Sequence, residues 1–125
     1  MGKEDIHTPI SGGSCSVTLD NMAKMIHKNA VEKGFWEPNT EENHTIFYLK
    51  QIAMIHSECS EVLEAIRKEK GDGQVVEELA DIIIRTLDLY AGLVRDGYTD
   101  ISLDETMTKK IVFNSSRPEM HGVLA

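Results

Sequence analysis

The chain is poor in several features that would have assigned it to a class. Its 125 residues include two cysteines, Cys15 and Cys59, three prolines and one tryptophan, and aromatic residues make up 6%. Two isolated cysteines are too few for a disulfide framework and lack the paired spacing of a zinc site. That usage predicts a reduced, cytoplasmic setting. No run approaches the ~18 consecutive apolar residues of a membrane span. The N-terminal stretch Met1-Gly2-Lys3-Glu4-Asp5-Ile6 lacks the apolar core of a secretory signal. It also has Ile6 where the myristoylation pattern needs Ser or Thr. Positive charge is scarce: 13 Lys and Arg stand against 21 Asp and Glu, for a formal charge of −8. This argues against a free-standing DNA or RNA binder, which would show a basic stripe. It argues equally against a protein held on an anionic membrane surface. Strand-like alternation is absent as well.

What is present is helical periodicity. Residues 1–17, with Pro9, Gly12 and Gly13, read as a tail. A single domain is expected over residues 18–122, with a short C-terminal tail at 123–125. Leu19, Met22, Ala23, Ile26 and Ala30 repeat at helical spacing, and Gly34 suits the C-terminal end of that helix. After a polar loop around Pro38, a long helix is predicted from about Thr45 to about Lys70. Its apolar stripe is Leu49, Ile52, Ile55, Cys59, Val62, Leu63 and Ile66, with Cys59 packing as a small buried thiol. Gly71-Asp72-Gly73 stops it. A third helix is expected over about Gln74 to Arg95, and Ser102-x-x-Glu105 forms a capping box that opens a fourth. The fold class is therefore all-α, a four-helix bundle with short connections. The third helix is apolar around more than half its circumference, so the bundle is expected to be completed by self-association as a homodimer or homotetramer.

Two pairs of carboxylates stand out. Glu58 and Glu61 lie three apart on the second helix, and Glu78 and Asp81 three apart on the third. At ~100° per residue each pair shares one helix face. Glu58 lies one step from Val62 and Glu78 one step from Ile82, so both border the apolar stripe. Glu64 falls instead among Ser57 and Ser60 on the polar side. Two helices joined by a tight turn are expected to be antiparallel neighbours, directing the four carboxylates to a shared edge. Like charges beside a low-dielectric core need compensation by cations or by protonation. Hard oxygen ligands suit Mg²⁺ or Mn²⁺; a solvated boundary is the alternative. Arg85, one turn after Asp81, is a candidate salt-bridge partner for it. A di-iron bundle would need Glu-x-x-His pairs on helices, and Glu41-x-x-His44 lies in a loop.

Glu58-x-x-Glu61, sixteen intervening residues, then Glu78-x-x-Asp81 resembles the metal motif of the MazG-like all-α nucleoside triphosphate pyrophosphohydrolases. Ile55-His56-Ser57-Glu58-Cys59-Ser60-Glu61-Val62-Leu63-Glu64-Ala65 is similar to the first motif helix of that family. Glu77 to Arg85 is similar to the second. Lys110, Asn114, Arg117-Pro118 and His121-Gly122 resemble the C-terminal segment of the phage and bacterial MazG-like subgroup. Asn29 to Trp36 resembles its N-terminal stretch. The resemblance implies hydrolysis of a (d)NTP to the monophosphate and pyrophosphate. Glu58, Glu61, Glu78 and Asp81 would hold Mg²⁺, and Glu61 is the carboxylate favoured to orient the attacking water.

Lys110, Asn114 and Arg117 fall on one helix face and could neutralise a triphosphate; alternatively they are cations at a solvated helix end. Trp36 and Phe35 could stack on a nucleobase or tuck onto the core or a subunit interface. His121 is a candidate phosphate contact, whereas His27, His44 and His56 read as structural or exposed. A non-catalytic nucleotide-sensing or regulatory helical dimer is the alternative function. The acidity speaks against nucleic acid and membranes, but not against nucleotides, because bound metals would mediate that contact.

Overall fold

The computed structural model describes residues 17–38 and 40–118. The tails expected at 1–17 and 123–125 and the candidate His121 fall, apart from Val17, outside the described residues. Among those described there are four α-helices and no strand: α1 (Leu19–Glu32), α2 (His44–Arg67), α3 (Asp72–Arg95) and α4 (Leu103–Ser116), with a 3₁₀ turn at Glu41–Asn43 leading into α2. None of these helices is long and apolar enough to cross a membrane.

The helix ends follow local chemistry. Thr18 Oγ1 accepts the Asn21 N–H at 3.1 Å and opens α1. Gly34, at φ +83°, lets the chain leave α1, while the Gly34 and Phe35 N–H groups close on the Val31 and Ala30 carbonyls. Ser102 Oγ accepts the Glu105 N–H at 3.1 Å, as the capping box predicts. Two boundaries differ from expectation: α2 ends at Arg67, not about Lys70, and α3 begins at Asp72, not about Gln74. Glu69, at φ +51°, and Gly71, at φ +103°, make the turn. Gly73 then sits in a first turn whose N–H groups lack helical partners in any case, and Asp72 complements the positive end of the helix.

Helix α3 is central, and α1 and α2 pack along it in antiparallel sense. Ala23 meets Leu87 and Ala91 in one buried cluster; Ala30, Trp36 and Phe47 form a second. The first cluster is built from small side chains, which let α1 and α3 approach closely. The Trp36 ring packs directly on Gly92, where a Cβ would lie 2.5 Å from Cη2 of the indole. At the far end of the α2–α3 pair, Tyr48 donates its hydroxyl to Asp96 at 2.8 Å and Arg95 donates to the other carboxylate oxygen at 3.0 Å. Burial and then the Asp96 hydrogen bond push the Tyr48 phenol up to about 12. Burial alone would raise Asp96, but the bonds from Arg95 and Tyr48 outweigh it and hold its carboxyl below the ordinary range.

The apolar stripes are only partly covered. Leu49, Ile52, Leu63 and Ile66 of α2 are exposed, as are Val76, Leu79, Ile83 and Ile84 of α3 and Met107, Ile111 and Phe113 of α4. Cys59, expected inside, is exposed too. The reason is geometric: α2 has α3 on one side only, and α4 packs against α1, not across the α2–α3 pair.

Candidate metal centre

The antiparallel pairing of α2 and α3 sets Glu58 opposite the second motif helix. Glu58, Glu78 and Asp81 each place a carboxylate oxygen within 4.8 Å of the others. Glu58 and Glu78 are half-buried and Asp81 is exposed. Two of the three are held by neighbours. Arg85 Nε donates to Glu58 Oε2 at 2.9 Å, and Gln74 Nε2 donates to Glu78 Oε2 at 2.6 Å. The ion pair of Arg85 thus reaches across to α2, where the sequence suggested its own-helix neighbour Asp81. The fourth motif carboxylate, Glu61, lies one turn beyond Glu58, is exposed, and stands outside the trio.

Three acidic oxygens this close repel, and one guanidinium does not balance them. Across an octahedral Mg²⁺ site with bonds of about 2.1 Å, opposite oxygens lie roughly 4.2 Å apart. A spread of 4.8 Å or less is therefore within a small side-chain adjustment of ligation. The donor set, all hard oxygen, fits a divalent cation of the Mg²⁺ or Mn²⁺ type.

A cleft of about 260 Å³ opens beside the carboxylates, lined by Glu58, Asp81, Arg85, Asp88, Asn29 and Phe35 among others. Of the two aromatic candidates, Phe35 is 62% exposed and lines the cleft, whereas Trp36 is 1% exposed. The expected stacking role of Trp36 is therefore corrected. Its indole Nε1 donates to both oxygens of Asp88, at 3.0 and 3.1 Å, and its ring packs on His27 and Phe47. A buried indole on a buried carboxylate is a core element with no face left for a base. His27 shares the same anchor, with Nδ1 at 2.7 Å from Asp88. His44 approaches Asp96 at 3.5 Å, and His56 is exposed.

Lys110 and Asn114 are exposed on α4, and Arg117, just beyond it, stacks its guanidinium 5.5 Å from the Phe113 ring. None of the three lines the carboxylate cleft. Asp88 of the cleft wall and the buried Gln51 nearby on α2 went unnoticed in the sequence, although spacing offered a signal. Asp88 follows Asp81 by seven residues and Gln51 precedes Glu58 by seven, two helical turns in each case, so each continues a motif face.

A family model, the MazG nucleotide pyrophosphohydrolase domain, matches residues 48–114. No curated protein and no solved structure matches the chain. The matched span covers more than half of the chain and includes all four motif carboxylates as well as Arg85 and Asp88. The chain belongs to the MazG nucleotide pyrophosphohydrolase family.

Proposed function

We propose that the protein hydrolyses a (d)NTP to the nucleoside monophosphate and pyrophosphate in an Mg²⁺-dependent reaction. The observation that carries this reading is the convergence of Glu58, Glu78 and Asp81 beside an open cleft, from two helices of a nucleotide pyrophosphohydrolase domain. These three carboxylates, with Glu61, would hold the metal; when bound, it supplies charge neutralisation for the phosphates and acidifies the attacking water. Arg85 keeps Glu58 in place until a cation replaces it. Glu61, exposed and one turn away, is free to accept a hydrogen bond from the water and orient it for in-line attack. Lys110, Asn114 and Arg117 would neutralise the polyphosphate tail. Because none of them reaches the cleft within one chain, their role calls for a second subunit, whose docking would also cover the exposed apolar faces of α2, α3 and α4.

The test is a panel of (d)NTPs incubated with protein and Mg²⁺, with products separated by ion exchange. Monophosphate and pyrophosphate in equal amounts support the reading. Absence of both from every nucleotide overturns it, and nucleotide binding without turnover would then favour a sensing module on the same fold.

A further inference from the structure

Arg85 lines two clefts: the carboxylate cleft of about 260 Å³ and a neighbouring one of about 320 Å³, whose walls include Lys50, Glu37 and Asp88. Among the described residues that line the carboxylate cleft, Arg85 is the one cation, set among Glu58, Asp81 and Asp88. Its bond to Glu58 uses Nε, at 2.9 Å, one of a guanidinium's several N–H donors. Its side chain stays 33% exposed, so solvent and ligands reach it. Glu58 is also one of three carboxylates whose oxygens lie within 4.8 Å of one another, so ligation of a divalent cation there would turn it away from Arg85. No carboxylate of the cleft is then left for the guanidinium. Asp81 belongs to the same trio, and Asp88 is already bonded to His27 and Trp36. Glu37, on the neighbouring cleft, is exposed to water. A guanidinium deprived of its carboxylate takes another oxyanion, and phosphate matches its planar fork.

We propose that Arg85 is a phosphate-binding residue masked by Glu58, and that metal ligation by Glu58 unmasks it. The inference rests on the reading of the site as that of a metal-dependent nucleotide hydrolase and concerns how the site is switched on. In metal-free protein the carboxylate trio repels a polyphosphate, and the one cation of the cleft is held by Glu58. With Glu58 turned to a metal, the same guanidinium is released to the phosphates. Binding of metal and of polyphosphate is thereby coupled through a side chain of this chain, besides any direct contact between them. Lys110, Asn114 and Arg117 do not line this cleft, so Arg85 is the cation that a single chain supplies to it.

Inorganic pyrophosphate tests this with no cleavage step and no metal. Calorimetric titration of the full chain in the presence of a chelator compares Glu58→Met with Glu78→Met. Each removes one carboxylate of the trio, but only the first frees Arg85. Glu58→Met is expected to bind pyrophosphate at least about tenfold more tightly than Glu78→Met, the order of effect of one charge-assisted hydrogen bond. Adding Arg85→Met to Glu58→Met should cancel the difference. Equal affinity in the two single variants, or a gain that survives Arg85→Met, overturns the proposal. The wild type decides the matter even where a variant fails to fold. At mildly acidic pH, ¹⁵N NMR should find the Arg85 Nε–H exchanging slowly with solvent in metal-free protein, faster with saturating Mg²⁺, and slowly again when pyrophosphate joins the Mg²⁺. An Nε–H indifferent to Mg²⁺, or one that pyrophosphate does not protect, overturns the proposal too. A gain in Glu58→Met without turnover of any triphosphate by the wild type would overturn the hydrolase reading alone; turnover without that gain would overturn the masking alone.

Discussion

Asp20 and Asp104 cap each other's helices. The two oxygens of Asp104 accept the N–H groups of Leu19 and Asp20 at 2.8 and 2.9 Å. Asp20 Oδ1 in turn accepts those of Leu103 and Asp104, both at 3.1 Å, and its Oδ2 accepts the Ser102 hydroxyl at 2.7 Å. The positive ends of α1 and α4 face each other, and two carboxylates between them convert repulsion into a clamp. First the Asp20 N–H, against an opposing desolvation, and then the Leu19 N–H hold the Asp104 carboxyl below its ordinary value. A depressed folded-state value means that the stabilisation is present above the unfolded value of ~3.9 and is lost as pH falls through the folded one. Acid titration followed by circular dichroism should therefore show weakening below about pH 4. Asp104→Asn should remove that component, because its amide NH₂ faces a backbone donor. Asp20→Ala should cost about 0.5–2 kcal/mol, a drop in Tm of several degrees. An unchanged Tm in Asp20→Ala would show that the clamp contributes nothing.

Tyr48, by contrast, responds to alkali. With the Tyr48 phenol raised to about 12, the neutral hydroxyl is the form that the fold prefers. Its contribution is complete below the unfolded value of about 10 and disappears as pH rises through the folded one. Spectrophotometric titration should find one tyrosine of the three ionising late, and Tyr48→Phe should eliminate that late step. Its persistence in the variant would assign the step to another residue.

Trp36 is the only tryptophan, so its emission reports one environment. Burial against Phe47 and His27 predicts blue-shifted emission and weak acrylamide quenching in the native protein. Gly92→Ala would place a Cβ 2.5 Å from the indole Cη2, closer than side chains tolerate. We expect a loss of about 1–3 kcal/mol by urea denaturation, typical of overpacking, together with a red shift. Wild-type stability in this variant would mean that the indole has room to move.

The helices were legible in the sequence because of their apolar period and because several ends carry strong local signals: Gly34, Gly71 and the Ser102–Glu105 box. The site was legible in part. The i,i+3 spacing brought Glu58, Glu78 and Asp81 to the right faces, but periodicity gives an angle on one helix, not the register between two. That is why the pairing of Arg85 with Glu58 and the position of Glu61 outside the trio came only with the structure. Trp36 was left between stacking and burial for a different reason. A loop tryptophan looks available for stacking until a carboxylate on another helix, here Asp88, is found to hold its N–H. The apolar surplus of α3 was read as calling for a second subunit; within one chain Val76, Leu79, Ile83 and Ile84 stay exposed.

The exposed apolar positions on α2 and α3 predict self-association. Light scattering at micromolar concentration is expected to give a multiple of 14.0 kDa, and Leu79→Glu with Ile83→Glu to shift it toward the monomer while helicity falls little. These exposed side chains lie outside the buried clusters, so the substitutions leave the folded chain intact. A monomer in the wild type would count against the second subunit, and with it against the proposed role of Lys110, Asn114 and Arg117.

On the proposed reading, a divalent cation would compete with Arg85 for Glu58. The guanidinium now donates to Glu58 at 2.9 Å, and it is the charge that offsets three carboxylates whose oxygens lie within 4.8 Å of one another. Removing it in Arg85→Gln should lower the Tm of metal-free protein and enlarge the rise in Tm that Mg²⁺ produces, because the cation then relieves an unbalanced repulsion. Removing a ligand should do the reverse. Asp81→Asn or Glu78→Gln should leave the metal-free Tm equal or higher, since like charges are relieved, and should abolish most of the Mg²⁺ effect. For the wild type, saturation to about one hundred times Kd corresponds to about 2.7 kcal/mol of added stability, which differential scanning calorimetry resolves. Opposite signs for Arg85→Gln and Asp81→Asn distinguish a metal centre from an acidic patch stabilised by salt in general. If both variants respond to Mg²⁺ as the wild type does, the trio binds no cation.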